Sequence, residues 1–236
     1  MERKFGRRIW FDSRSKAFRV VSLLTQPQRK EIVSRRYECY ARLDQGDQGS
    51  CVGHGWAHEL ACEPVPVTGI NHDTAVGIYY EAQKVDPWEG GEYPGALAFY
   101  EGTAVLAGAK ACMMTGLIGG YYFALGEEEM ALGVSHYGPA VLGTVWTSGM
   151  SSPDADGRIR PTGSVQGGHC YLVDEIDIDQ EVKRYWILNS WGESFGVNGR
   201  AWISRDDMGV LLKEGGEVCF ALGRKEKPMS RDDMNL

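Results

Sequence analysis

Three segments of this 236-residue chain carry residue types that can perform chemistry together. Residues 43–56 read Leu-Asp-Gln-Gly-Asp-Gln-Gly-Ser-Cys-Val-Gly-His-Gly-Trp. Cys51 follows a Gly-rich turn and opens a predicted helix. The free N–H groups at a helix start stabilise a thiolate and lower its pKa. They can also bind an oxyanion that develops during acyl transfer. Gln45, six residues earlier, can add a side-chain amide donor. Residues 167–174 read Gly-Gly-His-Cys-Tyr-Leu-Val-Asp. There His169 begins a β-type run, behind two glycines that let another backbone or a substrate come close. In residues 186–202, Asn189 ends a strand and leads into an aromatic and Gly-rich turn. A cysteine nucleophile, a histidine base and an orienting amide make up the logic of acyl transfer through a Cys-His-Asn triad.

Other reactive-looking residues have plainer roles. His54 and His58 lie one and two helical turns beyond Cys51, where a rigid helix points them away from a substrate carbonyl, so packing is expected. Alternation along a strand sends Cys170 to the face opposite His169, into the core. The Asp154-Ala-Asp-Gly-Arg stretch lacks the distal Glu of a calcium loop and reads as a surface turn. No metal ligand set or cofactor is expected; the scattered cysteines form no C-x-x-C pair.

The elements that must position these residues fall into two halves. Helices are predicted over residues 51–62 and 73–85, with Pro87 beyond the second. Thr103 is expected to cap a third, running to residue 115 with Gly116 at its end. Glu127–Glu129 place acid in the first turn of a fourth, which stops before Gly138-Pro139. Short β-type runs then cover residues 140–146, 170–178, 184–188, 200–204 and 218–222, with a short helix over residues 206–213. One further strand is expected near residues 18–24. Helices first and strands afterwards argue for an α+β protein of two lobes, with chemistry in the cleft between them.

Composition sets the remaining bounds. Hydrophobic residues at 43% and charged residues at 24% are ordinary for a globular chain and exclude disordered, collagenous and coiled-coil classes. No apolar run is long enough to span a bilayer. The net charge of −7 is unevenly spread: residues 1–36 hold eleven Lys and Arg against three acids, a net +8, which leaves −15 on the rest. Such a basic arm can contact nucleic acid. The favoured expectation is that it lies across its own acidic body. With no secretory signal and no close cysteine pairs, reduced thiols in the cytoplasm are expected.

Taken together, these segments resemble the papain/cathepsin family of cysteine peptidases. The carrying features are the Gln45-to-Cys51 spacing, His169 after a small-residue turn, and Asn189-Ser190-Trp191-Gly192 followed by Asn198-Gly199. The resemblance implies a papain-like α+β fold: a helical lobe and an antiparallel β lobe with the active site between them. It implies catalytic roles for Cys51, His169, Asn189 and Gln45. Substrate-side roles fall to Gly90, Gly91, Gly168 and Trp191. It implies a basic arm over residues 1–40, a peptidase domain over 41–223 divided near residue 130, and a polar tail over 224–236. Gln48 and Val52 depart from the family's Cys and aromatic at those positions, and Phe195 stands in place of a second Trp. About 40 residues before the body fall short of the family's inhibitory domain, so a compact form like bacterial and phage members is expected. The implied activity is peptide-bond hydrolysis through a thioester acyl-enzyme, with peptide or protein as partner. An inactive binding or structural protein, possibly associated with a phage particle, and an amidase or transferase on the same fold stand as alternatives.

Overall fold

A computed structural model describes residues 3–224, apart from the side chain of Lys16. Most of the expected tail, residues 225–236, lies outside the described residues.

The site begins at the helix α1, Cys51–Leu60, all ten residues of which are buried. Two of its residues, Gly53 and Gly55, are poor helix formers, and contacts explain both. A Cβ at Gly53 would run into the Ala75 carbonyl, and one at Gly55 would lie 2.8 Å from the Cys170 sulfur. Helix α1 is therefore clamped between α2, His72–Val85, and the central strand of the sheet. Helix α2 starts with a capping box in which Asn71 and Thr74 satisfy each other's backbone N–H. Its neighbour α3, Val105–Met114, is capped by Ala104 rather than Thr103. Thr103 is diverted: its hydroxyl donates to Asp86 at 2.6 Å and its backbone pairs with the N-terminal arm.

A seven-stranded antiparallel sheet forms the other wall. Its strands are β1 Arg35–Arg36, β2 Ile118–Ala124, β3 Ala140–Thr147, β4 Val165–Asp177, β5 Arg184–Leu188, β6 Arg200–Ser204 and β7 Glu217–Arg224. The order is β2-β7-β3-β4-β5-β6, with β1 beside β4. Helix α4, Glu127–His136, and helix α5, Arg205–Lys213, complete the fold. One core packs α1 and α3 on the sheet around Trp56, Leu60 and Leu172. Another gathers Trp146, Tyr171, Tyr185 and Phe220 with α4 and α5.

Three expectations are corrected. The segment near residues 18–24 holds a 3-10 turn, Val20–Leu23, preceded by another over Ser13–Ala17, because its backbone meets the sheet at a single bridge between Arg19 and Phe123. Strand β2 was not expected: Gly119 and Gly120 weaken its β signal, and pairing with β7 supplies what propensity lacks. The thiols are not all reduced. Cys39 and Cys62 are joined in a disulfide, where an isolated bridge lays the chain before α1 against the chain after it. Cys51, Cys112, Cys170 and Cys219 are free and buried.

Candidate functional site

Strand β4 carries His169 in its interior rather than at its start, opposite Thr144 of β3. The longer strand begins at Val165, so Gly167 and Gly168 are part of the ladder. The end of β5 delivers Asn189 immediately after Leu188. His169 Nε2–H donates to Asn189 Oδ1 at 2.8 Å. The orientation of the amide is fixed, because the same Oδ1 accepts the Ser190 N–H at 2.8 Å. The neutral imidazole thus carries its proton on Nε2, and Nδ1 is left as the basic nitrogen. Nδ1 is buried and makes no hydrogen bond. Trp191 lies against the His169 ring at 5.0 Å between centroids, tilted by 34°. Trp146 meets the same ring edge-on at 4.9 Å.

Cys51 sits at the first position of α1, which packs on β4. Backbone N–H groups of Gly6, Cys170 and Val52 act on its thiol. Burial is the larger influence and pushes the thiol up to about 11. Burial likewise pushes His169 down to about 4, against the opposing effect of its hydrogen bond to Asn189. No Cys51–His169 hydrogen bond is present, and both groups are uncharged in this state.

Gln45 is tied to both walls. Its N–H donates to Ser190 O, its Oε1 accepts from the Ser190 hydroxyl at 2.6 Å, and its Nε2 donates to Gln48 O at 2.7 Å. Nε2 also reaches Lys4 O at 3.3 Å, so this amide already holds a carbonyl of the chain's own arm.

The arm explains the burial. Residues 3–8 thread between the walls. Arg7 N–H donates to Gly168 O at 2.9 Å, Thr103 N–H donates to Gly6 O, and Arg8 N–H donates to Thr103 O, both at 2.8 Å. The Phe5 ring packs edge-on against His169 and Trp191. Glycines line the slot: a Cβ at Gly168 would strike the Arg7 carbonyl, and one at Gly102 the Gly6 carbonyl. The backbone that pairs with this extended segment is Gly102–Thr103. Gly90 and Gly91 lie in a different loop, where Gly91 N–H donates to Ala98 O, Gly90 packs on Ala98, and Gly91 packs on Gln83 and Tyr93. Nothing in the Gly102-Thr103 dipeptide marks it out in sequence, since its role depends on what the fold lays beside it.

The remaining expectations concern bystanders. His54 bonds Ser50 and His72, and His58 Nε2 accepts the Leu43 N–H. Burial lowers them to about 4 and about 3 respectively. Asp154 accepts from Arg158 N–H and Arg160 within its own turn. The basic arm does lie on the acidic body: Arg3 pairs with Asp44, Lys4 with Glu101, Arg7 with Glu217, Arg19 with Glu129 and Arg36 with Glu175. Among the described residues, no helix is long and apolar enough to cross a membrane.

Comparison with known proteins agrees with this architecture. The fold matches that of xylellain, a cysteine protease from Xylella fastidiosa, at 15% identity and a TM-score of 0.66, covering 95% of this chain and 99% of that one. Procathepsin B S9 from Trypanosoma congolense matches at 13% identity and a TM-score of 0.54, covering 96% and 87%. The proform of the ragweed pollen cysteine protease Amb a 11 matches at 13% identity and a TM-score of 0.55, covering 96% and 68%. In sequence, cathepsin O from Mus musculus is 33% identical over 101 residues, 42% of this chain; the match spans only 28% of that cathepsin. No family model matches the sequence. The chain has the α+β fold of the papain-like cysteine proteases.

Proposed function

We propose that this protein is a cysteine-type peptidase with Cys51 as nucleophile and His169 as its general base and acid. In the uncovered site, Cys51 gives its proton to His169 Nδ1 and the thiolate attacks a peptide carbonyl carbon. The carbonyl oxygen becomes an oxyanion held by Gln45 Nε2–H and the Cys51 backbone N–H. The C–N bond then breaks, the imidazolium proton passes to the leaving amine, and a thioester remains. His169 next takes a proton from water, hydroxide adds to the thioester, and collapse returns the proton to the sulfur as the acid departs. Asn189 positions the imidazole and Trp191 shields their bond, while the Gly168 carbonyl binds substrate backbone as it now binds Arg7.

The observation that carries this reading is the buried His169–Asn189 bond under Trp191. It leaves Nδ1 as the free basic nitrogen, on the strand against which the Cys51 helix packs. The seated arm makes this the resting form. It excludes substrate and keeps the thiol and imidazole neutral. We read residues 3–8 of the basic arm as this cover and 41–223 as the peptidase unit.

The test uses the full chain and a Phe5→Ala variant that loosens the cover. Peptide cleavage and iodoacetamide mapping at neutral pH should single out Cys51 over Cys112, Cys170 and Cys219, and Cys51→Ala should end cleavage. Equal cleavage by Cys51→Ala, or labelling of Cys51 no faster than the other three thiols in Phe5→Ala, overturns the reading.

A further inference from the structure

The backbone that pairs with the arm is held from behind by helix α2. The peptide groups of Gly102 and Thr103 face opposite ways. Thr103 N–H and C=O meet Gly6 and Arg8 in the slot. Gly102 N–H instead donates to the Tyr79 hydroxyl at 2.7 Å, and Gly102 O accepts from Gln83 Nε2 at 3.1 Å. Gln83 Nε2 also donates to Tyr100 O at 3.2 Å, and Gln83 Oε1 accepts the Glu92 N–H at 2.8 Å. At the C-terminal end of α2, Asp86 accepts from the Thr103 and Tyr100 hydroxyls, both at 2.6 Å. Tyr79, Gln83 and Asp86 recur at i, i+4 and i+7, which aligns them along one side of the helix. Tyr79 and Gln83 are 0% and 1% exposed. A buried polar stripe, with partners at Glu92, Tyr100, Gly102 and Thr103, thus takes the place of a neighbouring strand.

Apolar packing does little of this work, because Leu97 and Phe99 of the connecting segment are exposed. The Tyr79 hydroxyl is saturated. It accepts from Gly102 N–H and from Gln83 Nε2, the latter at 2.9 Å, and it donates to the Glu92 carboxylate. Glu92 therefore fixes the direction of the O–H and leaves the lone pairs facing Gly102 and Gln83. Without that oxygen the Gly102 N–H would be buried with no acceptor, which is costly enough to shift the wall.

We propose that Tyr79 is a positioning residue for the cleft: its hydroxyl, aimed by Glu92, sets the Gly102–Thr103 backbone where Thr103 can bind the main chain of a substrate, as it now binds the arm. This rests on the peptidase reading for its substrate, while the wall itself can be tested without turnover. Main-chain pairing holds the ground state and the transition state alike, so its loss raises KM and spares kcat.

The matched control is Tyr185→Phe, which deletes a buried hydroxyl that bonds Glu127 of α4 rather than the slot. In the Phe5→Ala background, Tyr79→Phe should raise KM for a peptide amide roughly tenfold while kcat stays within about threefold. Tyr185→Phe should lower the melting temperature without moving KM. An unchanged KM in Tyr79→Phe, a loss confined to kcat, or an equal rise of KM in Tyr185→Phe overturns the proposal. A complete lack of cleavage in the Phe5→Ala parent counts against the peptidase reading instead, and amide hydrogen exchange on the full chain with Phe5 in place then decides. The N–H groups of Thr103 and Arg8, which bond across the slot, should exchange roughly tenfold faster in Tyr79→Phe. The Trp202 N–H, bonded to Gly157 O, should not change. No acceleration at Thr103, or equal acceleration at Trp202, overturns the positioning role. Should Tyr79→Phe fail to fold, Glu92→Ala, which frees the hydroxyl to turn, is read by the same exchange: about threefold faster at Thr103 supports the role, and no change overturns it.

Discussion

The arm and the body are held by different physics. The body buries aromatic and aliphatic side chains: Trp146 alone touches the rings of His169, Tyr171, Trp191 and Phe195 and is fully buried. Residues 3–8 instead hold on by main-chain hydrogen bonds, surface ion pairs and one half-buried ring, Phe5. Apolar burial is hard to replace with water, whereas exposed charges and backbone donors readily exchange a protein partner for a solvent one. On the proposed reading, the chemistry would reside in the fixed part and its restraint in the exchangeable part. Arg7 is the exception, because its buried pair gives the arm one anchor that water cannot replace cheaply.

Substitutions on each side separate the two kinds of contact. The largest expected effect is on the body side: Cys51→Ala should lower kcat/KM on peptide substrates by on the order of 10⁴-fold or more while leaving the fold intact. Circular dichroism alongside the assay separates lost chemistry from lost structure. Trp146→Ala should cost about 3–5 kcal/mol in a urea melt, as deletion of a fully buried aromatic does. A cost near zero would mean that the wall behind His169 is not the packed unit described. On the arm side, Phe5→Ala should speed alkylation of Cys51 by roughly tenfold, since about 1.4 kcal/mol of lost arm contact is a factor of ten in the open population. Mass mapping of labelled peptides reads this directly. Arg3→Ala should shift stability by no more than about 1 kcal/mol, because its pair with Asp44 is half exposed.

Acid probes the body alone. His169, His54 and His58 are neutral in the fold, with pKa values lowered from 6.5 to about 4, 4 and 3. A base whose folded pKa is lowered contributes stability that is complete above its unfolded value. That contribution drains as pH falls through the folded value. The melting temperature should therefore decline between about pH 6.5 and 4, and His58→Phe should flatten the slope.

Much of the candidate site was legible because its signals are local. Cys51 after a Gly-rich turn, Gln45 six residues before it, His169 behind two glycines and Asn189 before Ser-Trp-Gly are each short patterns with a stated chemical use. The extents of α1, α2, α4 and β5 followed from periodicity, acidic first turns and prolines. Other features were hidden for physical reasons. The Arg-Val-Val-Ser-Leu-Leu run of the arm has β-type residues, yet only one bridge is available to it, so its preference was overruled. Thr103 has the chemistry of a cap but was claimed by Asp86 and by the arm. Gly90-Gly91 matched a pattern, while the backbone that pairs with an extended chain came from Gly102–Thr103.

Residue types and short spacings carry the candidate reactive groups, their order along the chain, the α+β plan and the charge imbalance between arm and body. These are fixed by residue type and by spacing within a few turns or strands. Only the tertiary structure decided that Cys39 meets Cys62, that β2 joins β7, and that Arg7 reaches Glu217 across 210 residues. The same holds for the arm, which the charge imbalance placed on the acidic body but not in the cleft. Each is a long-range contact whose partners carry no mark of one another, and only the packed chain brings them within hydrogen-bonding or bonding distance.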